Sequence, residues 1–236
     1  MAQQIIKHIH RVNALRDLAT KLDIMPVIHQ LQHWQCERLL VSHADLAQQK
    51  RYQKAMAFFV DELYGPKDFS QRDADLARVI PKLAKVLPDK AMNAMDDALA
   101  LNALSFDLDM EMAQFLKANY SHQPIDRHSY AQAYRHVGRI DDRAHQIGII
   151  SHLGDQLGDV IKIRGIGMLI SLSRRPAKLA GVLALHEFLE RGFNAFKAIG
   201  DVQGFVQPVL AREKNLMGAL LDENLTLPDD NPLPAI

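Results

Sequence analysis

The stretch AFFVDELYGPKDFSQRDADLARVIP, residues 57–81, stops one helix and starts the next, and reading it that way decides the fold. Gly65 follows DELY where a helix ends in a left-handed residue, and Pro66 forbids continuation. The restart is equally legible. Ser70 with Asp73 three positions on has the form of a capping box, and Asp68 with Gln71 offers the alternative register. Asp73 and Asp75 put negative charge in a first turn, where the helix dipole favours it. Capping leaves Tyr64 and Arg72 unexplained. An arginine in a first turn opposes the dipole, so Arg72 is expected to pair with a carboxylate, Asp68 or Glu62 or one from another helix. Tyr64, Asp68, Arg72 and Asp73 are therefore read as a structural lock around the turn.

The same logic extends along the chain. Apolar residues recur at three and four positions almost everywhere and alternating strand-like runs are nearly absent, so the fold class expected is all-α. One compact bundle of about eight or nine helices is predicted over residues 1–225, with an extended tail, punctuated by Pro, Asp and Asn, over 226–236. A first helix covers Gln3 to Lys21, and Pro26 opens a long second one. That second helix runs for about 38 residues or bends near Ser42–His43; in either case it is expected to be the spine. Further helices are predicted over 70–87 with Pro81 inside, Pro88–Ala118, Arg127–His136, Ile140–Ile161, a short apolar piece ending at SRRP, Pro176–Ile199 and Val202–Glu223.

Composition narrows the function. Lys+Arg 28 balance Asp+Glu 28, so no global field draws nucleic acid or an acidic membrane, although a local basic patch is compatible with the balance. The single cysteine, Cys36, excludes an intramolecular disulfide and a cysteine-only zinc site. No window approaches the roughly 18–20 uncharged apolar residues of a bilayer span, and the most apolar one, IKIRGIGMLISLSRRP, is interrupted by Arg164. The N-terminus lacks the apolar core and cleavage site of a signal peptide. A cytoplasmic location follows as the expectation, with no nucleic-acid or membrane partner.

The run FFVDELYGPKDFSQRDADLARVIPKL, preceded by LQHWQCERL and RYQKA and followed by GVLALHEFLERGFNAFKAIG and VLAREKNLM, resembles an uncharacterised bacterial family of all-helical proteins of similar length. The resemblance covers most of the chain. It implies an all-α fold and a cytoplasmic bacterial protein, and it carries no activity, cofactor or residue role.

Candidate sites come from the eleven histidines. His29 and His33 stand four apart on one helical face with Cys36 and Glu37 a turn beyond, a spacing that lets two imidazoles share a metal. In DDRAHQIGIISHLGDQLGDV, Asp141, His145, His152, Asp155 and Asp159 gather along one edge opposite an isoleucine and leucine arc. Such a stripe suits either a di-metal bundle site or a solvated face. His186 shares its face with Val182, Leu185, Leu189, Phe193 and Phe196 and so points into the core, as a hydrogen-bonded core histidine or as a haem ligand. If His145, His152 and His186 converge, they line a pocket. Arg174, Arg175 and Lys178 in SRRPAK form a basic turn able to meet an anionic group. Met92, Met95, Met110 and Met112 offer either core filling or an adaptable apolar surface.

Two function classes follow. One is a helical binding module for a protein partner or small molecule, with self-association compatible. The other is a metal- or haem-dependent oxidase or oxygenase using histidines and carboxylates on facing helices, for which iron or haem is the cofactor.

Overall fold

Pro26 occupies the first turn of a helix and Pro88 an N-cap, and both cut the chain where the sequence places them. The computed structural model describes residues 1–59, 70–85, 87–121 and 123–222, the side chains at 59 and 70–73 excepted. Among the described residues the chain forms twelve helices and no strand. In order they are α1 (Ala2–Lys21), α2 (Met25–Ser42), α3 (Ala44–Ala47), α4 (Gln53–Phe59), α5 (Ser70–Leu83), α6 (Asp89–Tyr120), α7 (Arg127–Val137), α8 (Ile140–Val160), α9 (Ile166–Leu172), α10 (Arg174–Leu179), α11 (Leu183–Ile199) and α12 (Val202–Leu221). The fold is all-α, as the periodicity predicts.

The helices outnumber the expected eight or nine because two predicted segments are broken. The segment opened by Pro26 bends at His43, whose φ of −121° and ψ of 26° leave the helical region, and it continues as α3 and α4. No proline or glycine marks that break. The predicted helix from Pro176 to Ile199 divides at Gly181, whose φ of 71° belongs to the left-handed region. The spine is consequently α6 rather than the second helix. Its 32 residues span ~48 Å, and it packs against α1, α2, α7 and α8.

Four apolar clusters form the interior. Leu31 and Trp34 of α2 meet Met112 and Leu116 of α6, Tyr130 and Tyr134 of α7, and Leu216 and Leu220 of α12. Tyr52 and Phe58 meet Phe196 of α11 and Phe205 of α12, with Ile147, Ile150 and Leu157 of α8 packed alongside. Ile5 and Ile9 of α1 close on Leu76 and Ile80 of α5, Met92 and Leu99 of α6, and Leu185 of α11. Ile28 with Phe106, Met110 and Ala113 completes the set. Because α6, α11 and α12 each serve more than one cluster, the clusters are coupled through shared helices. Met92, Met110 and Met112 are buried and Met95 is partly buried, so the methionines fill core.

Two helix–helix contacts are set by glycine. A Cβ at Gly192 would stand 2.9 Å from Phe58 Cζ, and one at Gly154 would stand 3.1 Å from Val206 Cγ1. These positions let the Phe58 ring of α4 pack directly on the α11 backbone and Val206 of α12 on the α8 backbone.

Candidate functional site

Tyr64 and Asp68 of the predicted lock lie outside the described residues. Arg72 and Asp73 fall within α5, but their side chains lie outside them too.

The histidines take separate partners. His145 is exposed on α8. His152, one face along the same helix, places Nδ1 2.6 Å from Asp97 Oδ2 of α6 and Nε2 3.0 Å from Gln156. His186 is buried on α11, and its Nε2–H donates to the Ile170 carbonyl of α9 at 2.7 Å. Its Nδ1 is buried with no hydrogen-bond partner among the described residues. No hydrogen bond or ion pair among the described residues joins these three rings.

The residues expected to hold a metal are also dispersed into local bonds. His29 is exposed, and His33 stands 3.2 Å from Glu37 one turn on. Asp155 accepts from Gln203 at 2.6 Å, and Asp159 accepts from Lys90 at 2.6 Å. Asp141, His145, His152, Asp155 and Asp159 are all exposed, so the polar edge of α8 is a solvated face. Among the described residues no group of three or more His, Cys, Asp or Glu side chains could hold a metal ion. His33, Trp34 and Glu37 line an open groove of about 580 Å³ with Ser121 and Ile125, and the Trp34 ring is stacked on Tyr130 at 4.2 Å.

A buried ionic network, unforeseen from the sequence, runs between α2 and α12. Glu213 accepts from Arg38 Nη1 at 2.5 Å and meets His43 Nε2 at 2.9 Å, with Arg38 6% and His43 2% exposed. Burial pushes the Glu213 carboxyl up, but the Arg38 charge and the bonds from His43 and Arg38 outweigh it and hold the pKa at about 2. Beside it, Arg212 grips Asp45 with two bonds of 2.6 and 2.8 Å and donates to the Ser42 carbonyl, tying α12 to the α2–α3 break. Also against α2, Asp109 of α6 is buried and accepts from Gln32 and Gln35 at 3.2 and 3.0 Å. Its burial raises the pKa of the acid against those bonds and the nearby Arg143 charge. Arg143 in turn lies 3.5 Å over the Tyr134 ring and donates to the Gly138 carbonyl. Arg38 and Glu213 pair in the interior with His43 beside them, an arrangement able to hold the register of α2 against α12, and the Arg38 Nε–H is buried with no hydrogen-bond partner among the described residues.

The surface offers a different feature. Nine large apolar side chains are exposed among the described residues, and four of them, Met168, Leu169, Leu172 and Leu179, belong to α9 and α10. Leu179 is 90% exposed and Leu172 70%. Ile166 is buried and Met168, Leu169 and Leu172 are exposed, so α9 carries apolar side chains on both its inner and its outer side. Two glycines with positive φ, Gly165 at 86° and Gly181 at 71°, bracket this α9–α10 platform, which packs on α11. Arg174 of the basic turn pairs with Glu187 and Glu190 at 2.8 Å each. Arg164, Arg175 and Lys178 are exposed and make no ion pair among the described residues.

Comparison with known families adds one match. The model of a domain of unknown function, DUF8198, matches residues 15–226. The chain belongs to the DUF8198 family. No curated protein and no solved structure matches it. The DUF8198 match takes in the buried network and the α9–α10 platform alike, so both are features of the family domain in this chain. No helix among the described residues of this DUF8198 protein is long and apolar enough to cross a membrane.

Proposed function

We propose that this DUF8198 protein is a bacterial, cytoplasmic interaction module that works without chemistry of its own, and that its working surface is the α9–α10 platform. One observation supports the reading above the rest. Four of the nine exposed large apolar side chains among the described residues lie on a single short excursion of the chain, next to cations with no ion-pair partner among the described residues. Leaving Leu172 and Leu179 in water forgoes about 1.5–3 kcal/mol each relative to burial, a cost that a docking surface recovers when it is covered. The ionic network under α12 ties Arg38 and His43 to Glu213 across two helices, which supports a structural use for it. The expectation of a histidine-based oxidase gains no support from geometry, since His145, His152 and His186 each take a separate environment.

The bacterial and cytoplasmic parts of the proposal rest on the signature that includes the 57–81 stretch and on composition. The surface is tested by immobilising the wild-type chain and a Leu172→Ser/Leu179→Ser variant and passing cell extract over both. The wild type should retain protein or lipid that the variant releases, with equal thermal stability of the two. Equal retention by both would show that the platform is not the working surface.

A further inference from the structure

The chain is neutral overall, yet its charge is not evenly spread. Between Asp159 and Glu187 there is no acidic residue, while Lys162, Arg164, Arg174, Arg175 and Lys178 fall in that interval. The same interval holds Met168, Leu169, Leu172 and Leu179, the exposed apolar group. Resting on the platform as the working surface, we infer that its occupant is an anionic lipid bilayer, against which α9 and α10 lie as a shallow interfacial anchor.

Three features favour lipid over an acidic protein. First, the apolar side chains stand far out of the surface, with Met168 68%, Leu172 70% and Leu179 90% exposed. A protein partner must supply a matching pocket for each such side chain, whereas the headgroup and acyl boundary of a bilayer deforms around it. Second, cations flank the apolar residues on both helices. Arg164 precedes α9, and Arg175 and Lys178 lie on α10, so chains that enter the boundary bring positive charge to headgroup level. Arg174 is held by Glu187 and Glu190 and contributes less. Third, the platform is delimited by Gly165 and Gly181 and anchored inward by Ile166 and by the His186 bond to Ile170. Its outer side is therefore free to enter lipid while its inner side holds to α11. The balance of 28 cations and 28 anions conceals this surface, because charge counted over the whole chain averages out a local stripe.

The test is co-sedimentation of the full chain with large vesicles of phosphatidylcholine alone and with roughly one-third phosphatidylglycerol. Binding is expected to the anionic vesicles only and to weaken as salt rises toward roughly 0.5 M. Replacing Arg164, Arg175 and Lys178 by Gln should weaken it by about fivefold per cation removed. Leu172→Ser/Leu179→Ser should weaken it at fixed charge. A Leu172→Trp reporter in a Trp34→Phe background should shift its emission to the blue on mixing. Failure of the folded wild type to bind anionic vesicles, or binding that the charge and apolar variants leave unchanged, overturns the lipid assignment. If the vesicles fail while the extract experiment still separates wild type from the Leu172 and Leu179 variant, the lipid assignment falls and the platform stands as a docking surface. If both fail, the platform reading falls as well.

Discussion

Glu213→Gln is the perturbation that reports most directly on the interior. In the folded chain Glu213 is bonded by Arg38 and His43, both almost fully buried, and its side chain is 20% exposed. A carboxyl held at about 2 against an ordinary 4.5 corresponds to about 3 kcal/mol of differential interaction between its charged and neutral forms. Because the folded pKa is the lower one, this stabilisation is fully present above pH 4.5 and is lost as pH falls from there toward 2. Gln keeps the shape and removes the charge, leaving Arg38 buried without its counter-ion at a cost of about 3–5 kcal/mol. Urea unfolding followed through Trp34, the only tryptophan and buried beside this network, measures the difference. The variant should lose about that much at pH 7, and its loss of stability below pH 4.5 should be shallower than that of the wild type. An Arg38→Met/Glu213→Leu double variant should recover to within about 1 kcal/mol of wild type, since apolar replacement of a whole buried pair is commonly neutral. A cost below about 1 kcal/mol for Glu213→Gln, or an unchanged acid limb, would refute the lock.

Asp126→Ala removes a capping box in which the Asp126 carboxylate accepts from Ser129 N–H, and it should cost about 1 kcal/mol by thermal unfolding. Gly192→Ala puts a methyl group 2.9 Å from the Phe58 ring, so α4 must shift on α11, and the variant should lose about 1–3 kcal/mol in the same measurement. Asp45→Asn breaks an exposed two-bond pair with Arg212 and should cost less than about 1 kcal/mol. Protein purified without a metal-affinity tag should be colourless and free of bound transition metal by elemental analysis; a haem band or stoichiometric iron would restore the oxidase reading.

Helix boundaries were legible wherever backbone chemistry marks them. Pro26 and Pro88 start helices, Gly138 and Gly200 take positive φ where one helix gives way to the next, and Gly181 marks a break that its residue type allows but does not demand. The break at His43, one of the two courses open to the segment that Pro26 starts, has no proline or glycine to mark it and is stabilised by tertiary contacts. His43 turns inward to Glu213, and Arg212 takes the Ser42 carbonyl. The network was hidden because Arg38 and Glu213 are 175 positions apart in the chain. A signal for it did exist. Leu31, Trp34 and Arg38 keep one helical face, as do Phe106, Asp109 and Ala113 in α6 and Leu210, Glu213 and Leu216 in α12. In each case a charged residue interrupts an apolar stripe. Asp141, His145, His152, Asp155 and Asp159 of α8 lie on an exposed edge, where His152, Asp155 and Asp159 bond separately to Asp97, Gln203 and Lys90. His186 was placed correctly in the interior by its periodicity, but its bond to a backbone carbonyl of α9 depends on packing that spacing alone does not specify.

The platform itself is tested most directly by hydroxyl-radical footprinting of the full chain, purified and again in its cellular extract, with labelling normalised to the exposed Val41 and Leu22. The account predicts that Met168, Leu172 and Leu179 label strongly in the purified chain and are selectively protected in the extract. Labelling of these three that stays the same in both, or protection that falls instead on the groove at His33 and Glu37, would contradict it.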